Sequence, residues 1–388
     1  MDFEFTPEEE RFYQEVREFL GKVVTEGLVK ENEANVGWGP YTWEFVRKIG
    51  ERGWVAPAMP KEYGGMGASH IQRFIIHDEL LYHRAIPPTM LCGAGIVAPT
   101  LMLYGSEEQK REFIPRIARG EIEIALGYTE PQAGSDLANV DIRAVEDGGD
   151  FVMNGQKVFN TGCHYAQYVW LLAKTDPGAV KKHRGLSLFI VDLKTRGITV
   201  RPLWTMDGER TNEVFYDDVR VPKKNLVGEK NRGFYYITTA LAFERNFPIG
   251  FLRRNFEELV AYCKETKRNG EPLCKDPLVR QNLAQLKVEV EVGHLLACRV
   301  AWLADKEIIP EWQAPMIKAF GTELMHRIGN AGIQILGLYG QLSRDSKWAP
   351  LKGRMEYLYR HASRRMISAG TNDIMRNVIA TRGLGLPR

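Results

Sequence analysis

Gly127-Tyr128-Thr129-Glu130-Pro131-Gln132-Ala133-Gly134-Ser135-Asp136 stands at the point where the chain's hydrophobic pattern changes from helical to strand-like. Hydroxyls, small residues and free backbone N–H groups crowd a turn after a strand, which is what close approach to a phosphate or to the edge of a planar ring requires. A plain solvent-exposed turn uses the same residue types, so the stretch alone leaves both readings open.

On its N-terminal side the periodicity is helical. Phe12, Val16, Phe19 and Leu20 recur at three- and four-residue steps, as do Phe74, His77, Leu80 and Leu81. Ser106-Glu107-Glu108-Gln109 has the form of a capping box and predicts a helix carrying Phe113, Ile114 and Ile117. Ala85 to Ser106 carries no charge, but Pro87, Pro88, Pro99 and three glycines interrupt it, so buried helical pieces are expected and no membrane span.

On its C-terminal side short β-branched and aromatic runs continue to about Gly233. Asn154-Gly155 between Phe151-Val152-Met153 and Lys157-Val158-Phe159 predicts a tight hairpin turn. Long helical patterns follow, at Tyr236 to Thr266, Asp276 to Lys306 and Gln313 to Leu336, and a last one begins near Thr371. The chain therefore divides into an N-terminal α-helical domain (1–122), a mostly antiparallel β domain (123–235) and a C-terminal helical bundle (236–388).

Composition narrows the function. The 388 residues are 44% hydrophobic, enough for several cores, and the net charge of +3 is spread without blocks, which gives nucleic-acid binding no support. Five cysteines lie far apart with no C-x-x-C pair and no histidine spaced to complete a zinc site, so reduced thiols and no metal are expected. The acidic start, Asp2 to Glu10, lacks an export signal's basic and apolar segments, and the cytoplasm is the expected location.

The opening stretch matches the T-E-P-x-A-G-S-D signature of the acyl-CoA dehydrogenases, and the resemblance runs through the chain. Met59-Pro60-Lys61-Glu62-Tyr63-Gly64-Gly65-Met66-Gly67, Asn154-Gly155-Gln156-Lys157, Val219-Arg220-Val221-Pro222 and Ala369-Gly370-Thr371-Asn372-Asp373-Ile374 follow in the family's order. The resemblance implies an α domain, a central β domain and a C-terminal four-helix bundle, with FAD held without a G-x-G-x-x-G unit. It implies α,β-dehydrogenation of an acyl-CoA thioester to the 2-enoyl-CoA, with an electron-transferring flavoprotein as acceptor. By the same resemblance Leu126, Tyr128 and Thr129 lie along the isoalloxazine, Gly134 and Ser135 near the pyrophosphate or thioester, and Phe159 and Thr161 beside N5. Gln334, Gly337, Thr371 and Asp373 complete the expected cofactor set.

Such chemistry needs a base for a weakly acidic α-proton and donors to the thioester oxygen. The family's commoner base belongs to an E-G-T motif, but here the matching position is Ala369. Isovaleryl and long-chain members carry the base on the first long helix of the C-terminal domain, and the matching residue is Glu244, with Arg245 beside it to orient the carboxylate. The backbone N–H of Ala369 is expected to donate to the thioester oxygen.

Two motifs that in family homotetramers serve a neighbour's FAD depart from the pattern. E-R-K-x-F-G reads Glu265-Thr266-Lys267-Arg268-Asn269-Gly270, and Q-I-x-G-G-x-G has Leu338 at its second glycine. This implies a heterotetramer completed by a homologous subunit, the alternative being a homotetramer in which Arg268 reaches the phosphates. A flavin oxidase or monooxygenase on the same fold, or a non-catalytic partner subunit, are the rival functions.

Overall fold

The computed structural model describes residues 4–34, 36–86, 91–244 and 247–387, the side chains of 241–244 excepted. They form two compact units, one of residues 1–24, 70–88 and 245–388 and one of 25–69 and 89–244.

The N-terminal third is helical, as its periodicity predicts. Helix α1 (Pro7–Val23) starts on a capping box between Thr6 and Glu9 and buries Val16 and Leu20. Helices α2 (Glu26–Glu33), α3 (Pro40–Gly50), α4 (His70–Tyr82), α5 (Ala98–Tyr104) and α6 (Glu107–Ala118) follow. The expected Ser106–Gln109 capping box is present, with both reciprocal bonds made. A single π turn, Gly93–Val97, leads into α5 within the charge-free stretch. Among the described residues no helix is long and apolar enough to cross a membrane.

Strands β1 (Ile124–Gly127), β2 (Arg143–Asp147), β3 (Asp150–Lys157), β4 (Tyr168–Lys174), β5 (Leu186–Asp192), β6 (Ile198–Trp204) and β7 (Arg210–Pro222) form one sheet in the order β1-β4-β2-β3-β7-β6, with β5 also on β4. Pairing is antiparallel except where β4 meets β1 and β2. Ala125, Phe151, Met153, Val169, Leu171, Phe189, Val191, Val214 and Val219 fill its core.

The hairpin expected at Asn154-Gly155 is not there. β3 runs straight through these residues, and the tight turn falls at Gly148-Gly149, because Asp147 pairs with Asp150. Asn154-Gly155 is instead a bulge against β7, where the register shifts between Met153 and Gly155. Gly155 takes φ +146, and a Cβ on it would lie 2.8 Å from Ile142 Cα. The same property that suits Asn-Gly to a turn, tolerance of positive φ, also suits it to a bulge.

The helix expected over Tyr236 to Thr266 is two: α7 (Gly233–Glu244) and α8 (Gly250–Glu265). Pro248 cannot continue a helix. Asp78 Oδ1 of α4 accepts the N–H groups of Ile249 at 2.8 Å and Gly250 at 2.6 Å, supplying the cap that α8 lacks from its own residues. A Cβ on Gly250 would come within 1.9 Å of Asp78 O, so only glycine fits there. The short strands β8 (Lys267–Arg268) and β9 (Glu271–Pro272) precede α9 (Pro277–Asp305), α10 (Gln313–Leu336), α11 (Arg354–Ile367) and α12 (Asn372–Val378). Helices α8 to α11 pack as the bundle, with α10 against α9 and α11.

Candidate active site

In the β-containing unit the end of β1 and the loop after β3 are laced together. Val158 N–H donates to Thr129 O at 2.9 Å, and Asn160 Nδ2 donates to Leu126 O at 2.6 Å. Beneath them lies a buried ion pair. Lys157 Nζ donates to Glu130 Oε1 at 2.8 Å and to Tyr128 O at 2.9 Å. The same carboxylate accepts from the backbone of Asp141 at 2.6 Å and Ile142 at 3.0 Å and from Gln132 Nε2 at 2.6 Å. Burial pushes the Lys157 ammonium down to about 8, against the opposing pull of Glu130.

These bonds tie the segment carrying Leu126, Tyr128 and Thr129 to the one carrying Phe159 and Thr161. Phe159 is 58% exposed although aromatic, and its backbone is left-handed at φ +58. A large side chain in that conformation is uncommon and marks a held position. Thr161 Oγ1 donates to Thr211 Oγ1 at 3.2 Å. Gly134 and Ser135 are exposed, and among the described residues the N–H groups of Gly134, Ser135 and Asp136 have no acceptor. Three successive N–H groups without acceptors are available to an anion.

Helix α7, which ends at Glu244, packs against α5 and the π turn. Tyr104 stacks on Tyr236 with ring centroids 4.4 Å apart, and its hydroxyl lies 3.1 Å from Thr239 Oγ1. The π turn is held from behind by Glu123, whose Oε1 accepts the Gly93 N–H at 2.6 Å. Burial raises the Glu123 carboxyl to about 7, against the bonds from Gly93 and Ile124. The Glu244 side chain and Arg245 lie outside the described residues.

In the helical unit, Ala369 and Gly370 take left-handed backbone at φ +56 and +89 between α11 and α12. Among the described residues their N–H groups have no acceptor. Thr371 is the N-cap of α12, its Oγ1 accepting from Ile374 N–H at 3.2 Å, and Asp373 is exposed in the first turn. Arg268 Nη2 donates to Ile335 O at 2.9 Å, which sets the guanidinium beside the Gln334–Gly337 turn. Gly337 is left-handed and exposed, and Leu338 is 85% exposed. A groove of about 590 Å³ between α8 and α9, bordered by Phe256, Val260, Lys264 and Leu283, contains none of these residues.

Four residues that hold these loops had no role assigned from sequence: Glu130, Lys157, Asn160 and Lys318. Lys318 had a visible signal. It lies on one helical face with Ala314, Gly321, Thr322 and Met325, all buried, so its spacing marks a core position.

Acyl-CoA dehydrogenase family models match along the chain: the N-terminal domain at residues 6–121, the middle domain at 125–219 and the C-terminal domain at 231–384. The chain is 36% identical to acyl-CoA dehydrogenase FadE26 of Mycobacterium tuberculosis, across 100% of this chain and 99% of the relative. Among solved structures it is similar to the Tcur3481-Tcur3483 steroid ACAD, at 35% identity and a TM-score of 0.92. It is likewise similar to a chain of the ChsE4-ChsE5 complex from Mycobacterium tuberculosis, at 36% identity and a TM-score of 0.92. Both matches cover 100% of each chain.

The residues of these segments fit the cofactor of that family. An exposed Phe159 offers a face to a planar ring, and the open N–H groups of Gly134 to Asp136 offer donors to its polar edge or phosphates. The chain belongs to the acyl-CoA dehydrogenase family and is an FAD-dependent oxidoreductase that dehydrogenates acyl-CoA thioesters.

Proposed function

We propose that Glu244 is the base that takes the α-proton and that the Ala369 N–H donates to the thioester oxygen. The observation that carries this division of labour is Ala369 itself: it offers a methyl group where the commoner family pattern offers a carboxylate, while its N–H has no acceptor among the described residues. The base must then come from elsewhere. Glu244 is the last residue of α7, the helix packed against α5 and the π turn, and its sequence neighbours Phe243, Phe247, Pro248 and Ile249 are apolar, the kind of setting in which a carboxylate gains proton affinity. Arg245 orients that carboxylate. Donation from Ala369 favours the charge that grows on the thioester oxygen as the proton leaves. Bound FAD supplies the acceptor for the β-hydride. Leu126, Tyr128, Thr129, Phe159 and Thr161 border the ring, Gly134 and Ser135 serve its phosphates or the thioester, and Thr371 and Asp373 contribute from the start of α12.

The similarity to a two-component steroid ACAD and to the ChsE4-ChsE5 complex supports a steroid-bearing acyl group as the substrate class and a heteromeric assembly, which we take to be a heterotetramer. Thr266 in place of arginine and the exposed Leu338 support the same assembly. One observation favours a homotetramer instead: Arg268 stands at the Gln334–Gly337 turn with guanidinium donors to spare for a phosphate. Electrons pass to an electron-transferring flavoprotein. The five free thiols suit a reducing cytoplasm.

Glu244→Gln tests the base. The variant should keep FAD and bind acyl-CoA while flavin reduction slows about a hundredfold or more. Reduction at the wild-type rate removes Glu244 from the mechanism.

A further inference from the structure

Lys318 is 3% exposed in the second turn of α10, among Ala314, Thr322 and Met325. Burying an ammonium is expensive unless its protons are used. Its Nζ donates to Gly370 O at 2.7 Å, Asn372 Oδ1 at 2.9 Å and Met366 O at 3.3 Å. The three acceptors span the junction of α11 and α12: Met366 at the end of α11, Gly370 in the connecting turn and Asn372 at the start of α12. Met366 lies in the last turn of α11, where carbonyls lack helical partners and the helix dipole favours a cation. Gly370 is the second of two consecutive left-handed residues, and the first is Ala369, a conformation that a residue with a Cβ resists. The turn is secured further by Asn372, whose Oδ1 also accepts from Thr322 Oγ1 at 3.1 Å and whose Nδ2 donates to Glu323 Oε1 at 3.1 Å.

We propose that Lys318 is the positioning residue for the thioester-oxygen donor: its buried ammonium grips the carbonyls of Met366 and Gly370 and thereby fixes the left-handed turn that leaves the Ala369 N–H open. This rests on the reading of Ala369 given above and extends it to the residue that maintains the donor. Without the grip, residues 368–371 relax toward ordinary backbone and the N–H loses its aim. Displacement of such a donor weakens stabilisation of the developing enolate more than it weakens ground-state binding.

Lys318→Met, of similar length and without donors, tests this in the flavin-loaded protein in its native assembly. Acetoacetyl-CoA is the probe, because its α-proton is acidic and its enolate has its own ultraviolet absorption. Wild type should lower the ligand's α-proton pKa on binding. In Lys318→Met that pKa should rise by about one unit or more and flavin reduction by substrate should slow about thirtyfold or more, while the dissociation constant for an enoyl-CoA changes less than about threefold. Lys318→Gln, which keeps one donor group, should lie between the two and serves alone should the methionine variant fail to fold. Wild-type enolisation and turnover in a variant that has only lost thermal stability overturns the proposal and leaves Lys318 a structural cap of α11. Failure of wild type itself to lower the ligand's pKa overturns the reading of Ala369 as donor, and this inference with it.

Discussion

Ala369 holds a conformation that favours glycine and lacks the carboxylate common at its position, and the proposed mechanism uses only its backbone. Ala369→Glu should therefore not raise turnover. A second carboxylate serving the same thioester would leave one of the two protonated, and the left-handed backbone would remain. Steady-state kinetics of the variant decide this, and a rate above wild type would mean that the chain had lost its base rather than moved it. At this scale the sequence was informative where a residue type departs from a pattern, as at Ala369, Thr266 and Leu338. It was silent where a role depends on partners far along the chain. Lys318 and Gly370 stand 52 positions apart, and Lys157 and Glu130 stand 27 apart. Neither pairing is encoded in local spacing.

Among the elements, the π turn Gly93–Val97 is held by a titratable anchor, Glu123. The Glu123 carboxyl is raised to about 7, so between about pH 4.5 and 7 the folded protein holds a proton that the unfolded chain releases. That contribution to stability is full below pH 4.5 and is lost as the pH climbs through 7, an effect worth about 3 kcal/mol. Glu123→Gln cannot titrate, so denaturation midpoints measured from pH 5 to 8 should fall less steeply with pH than in wild type. Equal slopes would show that Glu123 does not hold the proton. Helices α1, α6, α9 and α10 were legible because their apolar period is regular, and α6 also because its capping box agrees with that period. The hairpin was misplaced because Asn-Gly and Gly-Gly both permit positive φ, and only pairing across β2, β3 and β7 chooses between turn and bulge. The long helix after Gly233 was overextended because its apolar period continues past the proline that breaks it.

Over the whole molecule, the motifs proposed to serve this chain's own flavin keep the family pattern, from Tyr128 to Asp136 and at Thr161, while those proposed to serve a neighbour's, at Thr266, Asn269 and Leu338, do not. A tetramer of this chain alone would pair each sound half with an altered one. Loss of one charge-assisted contact to a phosphate costs about 1.5–3 kcal/mol, roughly ten- to a hundredfold in affinity. The decisive measurement is the flavin-to-protein ratio of the chain purified alone and again with a homologous subunit that carries the missing arginine. Alone it should be flavin-poor or poorly soluble, and the pair should hold about two FAD per tetramer, one in each competent site. A stable homotetramer with close to one FAD per chain would contradict the heteromeric assembly and make Arg268 the phosphate ligand.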